Sequence, residues 1–310
     1  MSRTSWLGIA CGTAGLVAAA CWGRIVQDAA AQTPAQQTPR VRLIVRGDDI
    51  GSSHAANVAC IKAYKDGIVR TVEVMVPGPW FAEAARLLRE NPGLDVGVHL
   101  TLTSEWENIK WGPLTHAPSL VDGLGYFHPM TSQRADFPPG TGFLECGFRL
   151  EEVEAELRAQ IETARKHIPR VSHLTAHMWT ACATPQLRAL TERLAQEYKL
   201  PLELPRDVRP AGGFGGPDTT AGQKEAALVR ILENLEPGNW LFVDHPGLDT
   251  PEMQAIGHKG YENVAADRDG VTRALCSPKA MEVVQRRGIE LLSYAGFYRG
   301  PQAVGPAARP

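Results

Sequence analysis

Val41-Arg42-Leu43-Ile44-Val45-Arg46-Gly47-Asp48-Asp49-Ile50-Gly51 is a β-rich run that ends in two adjacent carboxylates bracketed by glycines. A helical pattern over residues 53–65 follows at once. A strand that passes into a helix through a polar turn is the opening of a strand–helix unit. While the backbone stays extended, Asp48 and Asp49 point to opposite sides. A turn must intervene if both are to serve one site, and Gly47 and Gly51 supply the freedom for it.

The same rhythm continues along the chain. Runs at 69–76, 95–101, 171–176, 201–204, 239–244 and 289–293, with 41–46, make seven expected strands. Helical patterns at 80–90, 150–167, 186–198, 221–236 and 278–287 lie between them. Such alternation implies an α/β fold on a parallel sheet or barrel. Two loose stretches, 104–147 and 206–220, break the rhythm. Loops this long in a compact domain usually form lids or walls of a site.

Of the 310 residues, 1–31 read as a signal peptide or N-terminal anchor. Arg3 precedes an apolar run from Trp6 to Trp22, and Ala29-Ala30-Ala31 offers a small-residue cleavage site. The run is at the short limit for a bilayer span, which favours export, periplasmic or extracellular, over anchoring. Residues 32–40 are a polar, proline-bearing linker, 41–298 the folded body and 299–310 a tail. The body is close to the roughly 250 residues of a one-domain α/β barrel. A formal charge of −2 argues against nucleic acid or an anionic membrane surface as the main partner. Four scattered cysteines in the body, with no CxxC pair, make neither a zinc knuckle nor a disulfide framework. Nothing in the sequence speaks against a homo-oligomer.

Catalytic groups of α/β barrels sit where strands end. Four polar groups fall there: Asp48-Asp49, His99, the pair His173 and His177, and Asp244-His245-Pro246-Gly247. Each has a plainer reading. The acidic pair could cap a helix, His99 could be a core histidine, and His-Pro-Gly could be only a turn. Together they supply carboxylate and imidazole to one rim. One carboxylate and two imidazoles suit a divalent ion, with positions left for water and substrate. A second carboxylate can take the water's proton, and a histidine opposite can protonate a leaving amine. His54, His116, His128, His167 and His258 read as solvated or supporting groups. Trp80, Trp106, Trp111 and Trp179 could stack on sugar faces or anchor loops.

The order of these pieces resembles the YdjC-type carbohydrate deacetylases, relatives of the polysaccharide deacetylases. The resemblance runs from Arg46-Gly47-Asp48-Asp49-Ile50-Gly51 through Gly97-Val98-His99-Leu100-Thr101-Leu102 and Gly125-Tyr126-Phe127. Ser172-His173-Leu174-Thr175-Ala176-His177 and His245-Pro246-Gly247 complete it. It implies a distorted TIM-like barrel with about seven parallel strands. It also implies metal ligands Asp49, His99 and His177, with Asp48 as general base and His245 as acid. The metal expected is zinc or magnesium, and the substrate an acetylated amino sugar or oligosaccharide, touched by Trp179, Arg206 and His173. Alternatives are hydrolysis of an O-acyl ester at the same site, or a non-catalytic sugar-binding barrel.

Two positions depart from the pattern. The aspartate of the His-x-Asp-x-His motif is Thr175, and the histidine two residues beyond His177 is Trp179. Loss of a negative charge at 175 should weaken metal retention, and Thr175→Asp should restore it.

Overall fold

A computed structural model describes residues 40–299 apart from Glu203. The expected leader, nearly all of the linker and the tail from residue 300 lie outside the described residues. Among those described, no helix is long and apolar enough to cross a membrane. The first half runs β1 (Val41–Ile50), α1 (His54–Lys65), β2 (Thr71–Val74), α2 (Phe81–Glu90), β3 (Asp95–Leu100) and α3 (Leu150–His167). Then come β4 (Val171–Ala176), α4 (Pro185–Tyr198), β5 (Val208–Pro210), α5 (Ala221–Asn234) and β6 (Gly238–Asp244). The helices α6 (Pro251–Gln254), α7 (Val264–Leu275) and α8 (Pro278–Arg286), then β7 (Glu290–Leu292) and α9 (Tyr294–Arg299), complete it.

All pairings between these strands are parallel, in the order β4-β3-β2-β1-β6-β5 with β7 beside β1. Arg42 to Ile44 of β1 pair with β6 on one edge and with β7 on the other, below the stretch paired with β2. The result is the expected seven-stranded parallel α/β barrel, left open between β4 and β5. One apolar cluster joins β3 and β4 to α3, α4 and the 104–147 loop. A second joins β1, β2 and β6 to α1, α2, α5, α7 and α8. Helix starts follow from local chemistry: Ser53 Oγ accepts from Ala56 N, and Thr220 with Gln223 forms a capping box.

The fifth strand differs from expectation. Pro201 O accepts from Leu174 N of β4, but the described residues of 201–204 form no ladder. The strand forms instead at Val208–Pro210, within the stretch read as loop, and pairs with the start of β6. The helix α7 was also not foreseen. It buries Asp267 and Arg268 beside its apolar residues, so its sequence lacks a clean apolar stripe.

Candidate metal centre

The turn ending β1 pivots on Asp49, whose backbone is left-handed at φ 69°. Aspartate is among the few side chains that tolerate this region. Ser52 N and Oγ both donate to Asp49 O, and Gly51 N donates to Asn57 Oδ1 at 2.6 Å. Gly51 has φ 104°, and a Cβ there would stand 2.7 Å from Met75 O. The pivot breaks strand alternation, so both carboxylates reach the end of β3: Asp48 Oδ2 lies 3.8 Å and Asp49 Oδ1 3.6 Å from His99 Nε2.

Asp49 Oδ1 also lies 3.4 Å from His177 Nδ1, in the residue that follows β4. Asp49, His99 and His177 are buried, and their ligand atoms lie within 4.8 Å of one another. Donors about 2.1 Å from a tetrahedral ion stand about 3.4 Å apart, so these separations fit a zinc-sized ion. Asp49 Oδ2 lies 3.0 Å from Arg268 Nη1, whereas the buried Oδ1 has no hydrogen-bond partner. A buried carboxylate oxygen without a hydrogen bond is costly unless a cation faces it, the His177 imidazolium in the metal-free protein or an ion among the three donors. The donor set therefore suits a divalent metal.

The electrostatics divide the groups. Burial raises the Asp49 pKa, but His245, Arg268 and His177 outweigh it and hold the carboxyl well below its usual range. Burial lowers His99 to about 4 against the pull of Asp48. Burial also opposes charge on His177, but Glu105 and Asp49 lift it to about 10. His245 is 41% exposed, with Nε2 4.0 Å from Asp49 Oδ2. Its desolvation is outweighed by Asp49 and Asp244, which raise its pKa.

Supporting groups hold these side chains. His177 Nε2 lies 2.9 Å from Glu105 Oε2. Arg46 donates through Nε and Nη2 to the two oxygens of Asp48, at 2.7 and 2.8 Å, and through Nη1 to Tyr294 Oη. Tyr294 stacks on His173 with ring centres 3.8 Å apart. His173 Nε2 is 2.7 Å from Glu73 Oε1, Thr175 Oγ1 donates to Glu73 Oε2 at 2.7 Å, and His99 Nδ1 is 2.8 Å from Thr175 Oγ1. Burial pushes the Glu73 carboxyl up, but His173 and Arg46 bring it down to about 2.

The profile of the YdjC-like protein family matches residues 42–286. The chain belongs to this family. A carbohydrate deacetylase of Thermus thermophilus is 34% identical over 238 residues, spanning 69% of this chain and 80% of that one. A carbohydrate deacetylase of Brevibacillus brevis is 31% identical over 279 residues, 82% of this chain and 99% of the relative. A crystal structure from Enterococcus faecalis, described as a candidate cellobiose-phosphate cleavage protein, superposes with a TM-score of 0.67 at 26% identity. It covers 83% of this chain and 99% of its own.

The YdjC-like chain thus gathers Asp48, Asp49, His99, His177 and His245 at one rim. Two expected substrate contacts lie elsewhere. His173 is fully buried behind the rim, against Glu73 and Tyr294, and cannot touch a substrate. Arg206 is exposed in the turn before β5, and its neighbour Asp207 bonds Asn239 at the start of β6, the end of the sheet opposite His245. A strand at 201–204 would have put Arg206 at a strand exit; the real strand begins after it. Trp106 and Trp111 are buried and pack rather than offer sugar platforms, whereas Trp179 is 52% exposed just beyond His177.

Glu73, Glu105, Arg46 and Arg268 were missed. Arg46 stands two before Asp48, so strand alternation placed both on one side. Glu73 lies in Thr-Val-Glu-Val, which reads as a half-exposed strand, yet both faces are buried. Glu105 and Arg268 come from a loop and a helix with no local signal.

Proposed function

We propose that this YdjC-like chain removes the acetyl group from an N-acetylated amino sugar or oligosaccharide, using a divalent ion held by Asp49, His99 and His177. The buried, unpaired Asp49 Oδ1 facing His99 Nε2 and His177 Nδ1 carries this reading. The relatives named carbohydrate deacetylases support the substrate class. Two imidazoles and one carboxylate favour zinc over magnesium, which prefers oxygen ligands and retained waters. When bound, such an ion polarises the acetyl carbonyl and lowers the pKa of water.

The chain's own residues do the rest. Arg46 holds the Asp48 carboxylate at both oxygens, fixing it as the base that takes the proton of the attacking water. Arg268 keeps Asp49 Oδ2 occupied, leaving Oδ1 toward the cluster. Asp49 favours the protonated form of His245, which delivers its proton to the nitrogen as the C–N bond breaks. A cavity of about 380 Å³, lined by Phe214, Lys224, Asp244, Tyr261 and Asp267, adjoins His245 through Asp244 and offers room for a sugar ring. Trp179 supplies an exposed apolar face on the β4 side of the rim. The apolar leader supports a site of action outside the cytoplasm, which fractionation of tagged protein tests.

Acetate release from N-acetylglucosamine oligomers, with chelator and then with added zinc, tests the reaction. O-acetylated sugars serve as the parallel substrate. No release from any N-acetylated sugar in the zinc-loaded protein sinks the proposal, and release that ignores the chelator removes its metal.

A further inference from the structure

Glu73 has no role in the reaction just described, yet it sits at the centre of a buried polar chain. Its Oε1 faces His173 Nε2 at 2.7 Å, and its Oε2 accepts the Thr175 hydroxyl at 2.7 Å. Thr175 Oγ1 in turn lies 2.8 Å from His99 Nδ1. We infer that Glu73 is a positioning residue that acts through Thr175 to keep the His99 proton on Nδ1, leaving Nε2 bare toward Asp49.

The inference follows from counting donors. An ionised carboxylate only accepts, and a threonine hydroxyl has one proton to give. That proton goes to Glu73, so Thr175 presents a lone pair to His99, and Nδ1 must carry the hydrogen. His99 Nε2, 3.6 Å from Asp49 Oδ1, is then the free ligand atom. A hydrogen bond on the far nitrogen is how proteins commonly fix the tautomer and orientation of a ligating histidine.

The backbone is shaped for this chain. A Cβ at Gly97 would fall 2.1 Å from Glu73 Oε2 and 2.4 Å from His173 Nε2, so only glycine lets the two side chains meet over β3. The charge that the family pattern has at position 175 is thus displaced by one hydrogen bond onto the neighbouring part of the sheet. This reverses the expectation for Thr175→Asp. A second carboxylate there would press against Glu73 in a buried site, and the substitution weakens metal binding rather than strengthening it.

The inference rests on the proposed metal site, and the test separates the two. Zinc affinity is measured by chelator competition for the native protein, Thr175→Val, Thr175→Ser, Thr175→Asp and the double variant Glu73→Ser/Thr175→Asp. Nitrogen NMR of the zinc-free protein reads the His99 tautomer. Native protein and Thr175→Ser should show Nδ1–H and the same affinity. Thr175→Val should lose about 10–100-fold in zinc affinity and populate Nε2–H. Thr175→Asp should also lose affinity, and the double variant should regain it. Native affinity and tautomer in Thr175→Val overturn the relay, as does a Thr175→Ser variant no better than Thr175→Val, or a double variant no better than Thr175→Asp. A native protein that binds no zinc overturns the metal site instead, whatever tautomer the zinc-free protein shows.

Discussion

Metal binding at this site should expel a proton. His177 is lifted to about 10 in the metal-free protein, chiefly by Glu105 and Asp49 against its burial. Its Nδ1 points at Asp49 Oδ1 and must be bare to ligate. Between pH 4, where His99 also protonates, and pH 10, each ion therefore displaces one proton from His177. This proton alone should raise the apparent affinity about tenfold per pH unit across that window, and at pH 7 it holds the affinity about 4 kcal/mol below that of a site with neutral His177. Calorimetric zinc titrations at pH 7, in buffers of different ionisation enthalpy, count the proton directly. Glu105→Gln removes the largest contribution that raises the His177 pKa, so the tenfold-per-unit rise should level off at lower pH. Proton release near zero at pH 7, or an affinity flat from pH 6 to 9, refutes a charged His177.

Asp48→Asn should keep zinc affinity close to native, because the three ligands stay, while acetate release falls about 10²–10⁴-fold. Gly51→Ala should lower stability by about 1–3 kcal/mol in urea unfolding, since φ 104° and the Met75 carbonyl both oppose a Cβ. Trp179→Ala should raise KM for an N-acetylated oligosaccharide more than it lowers kcat; an unchanged KM would leave the exposed ring without a sugar to hold.

The legible parts of this molecule were those written in local order. Strand runs ending in Asp48-Asp49, His99 and Asp244-His245 carried the barrel rim, because a parallel sheet brings all its strand exits to one side. The helical patterns at 53–65 and 150–167 reappear as α1 and α3 with almost the same bounds. Groups that depend on distant partners stayed hidden. Glu73 reads as an outward residue between two valines until a barrel closes over it. Arg268 belongs to a helix whose buried charges obscure its apolar side, and it meets Asp49 across 219 residues of chain. The fifth strand was misplaced because three residues paired to one neighbour leave almost no pattern, and Arg206 was misplaced with it.

Gly97 gives the interior a history-dependent character. Its missing side chain is the space in which Glu73 and His173 meet, so a larger residue at 97 is admissible only after those two have changed. Replacing either of them first leaves the other's buried polar atoms stranded. Positions 73, 97, 173 and 175 should therefore drift as a linked set, with small, single-step exchanges blocked in most orders. A descendant of this chain could move its supporting charge to position 175 only along a narrow sequence of intermediates, the first of which shortens Glu73.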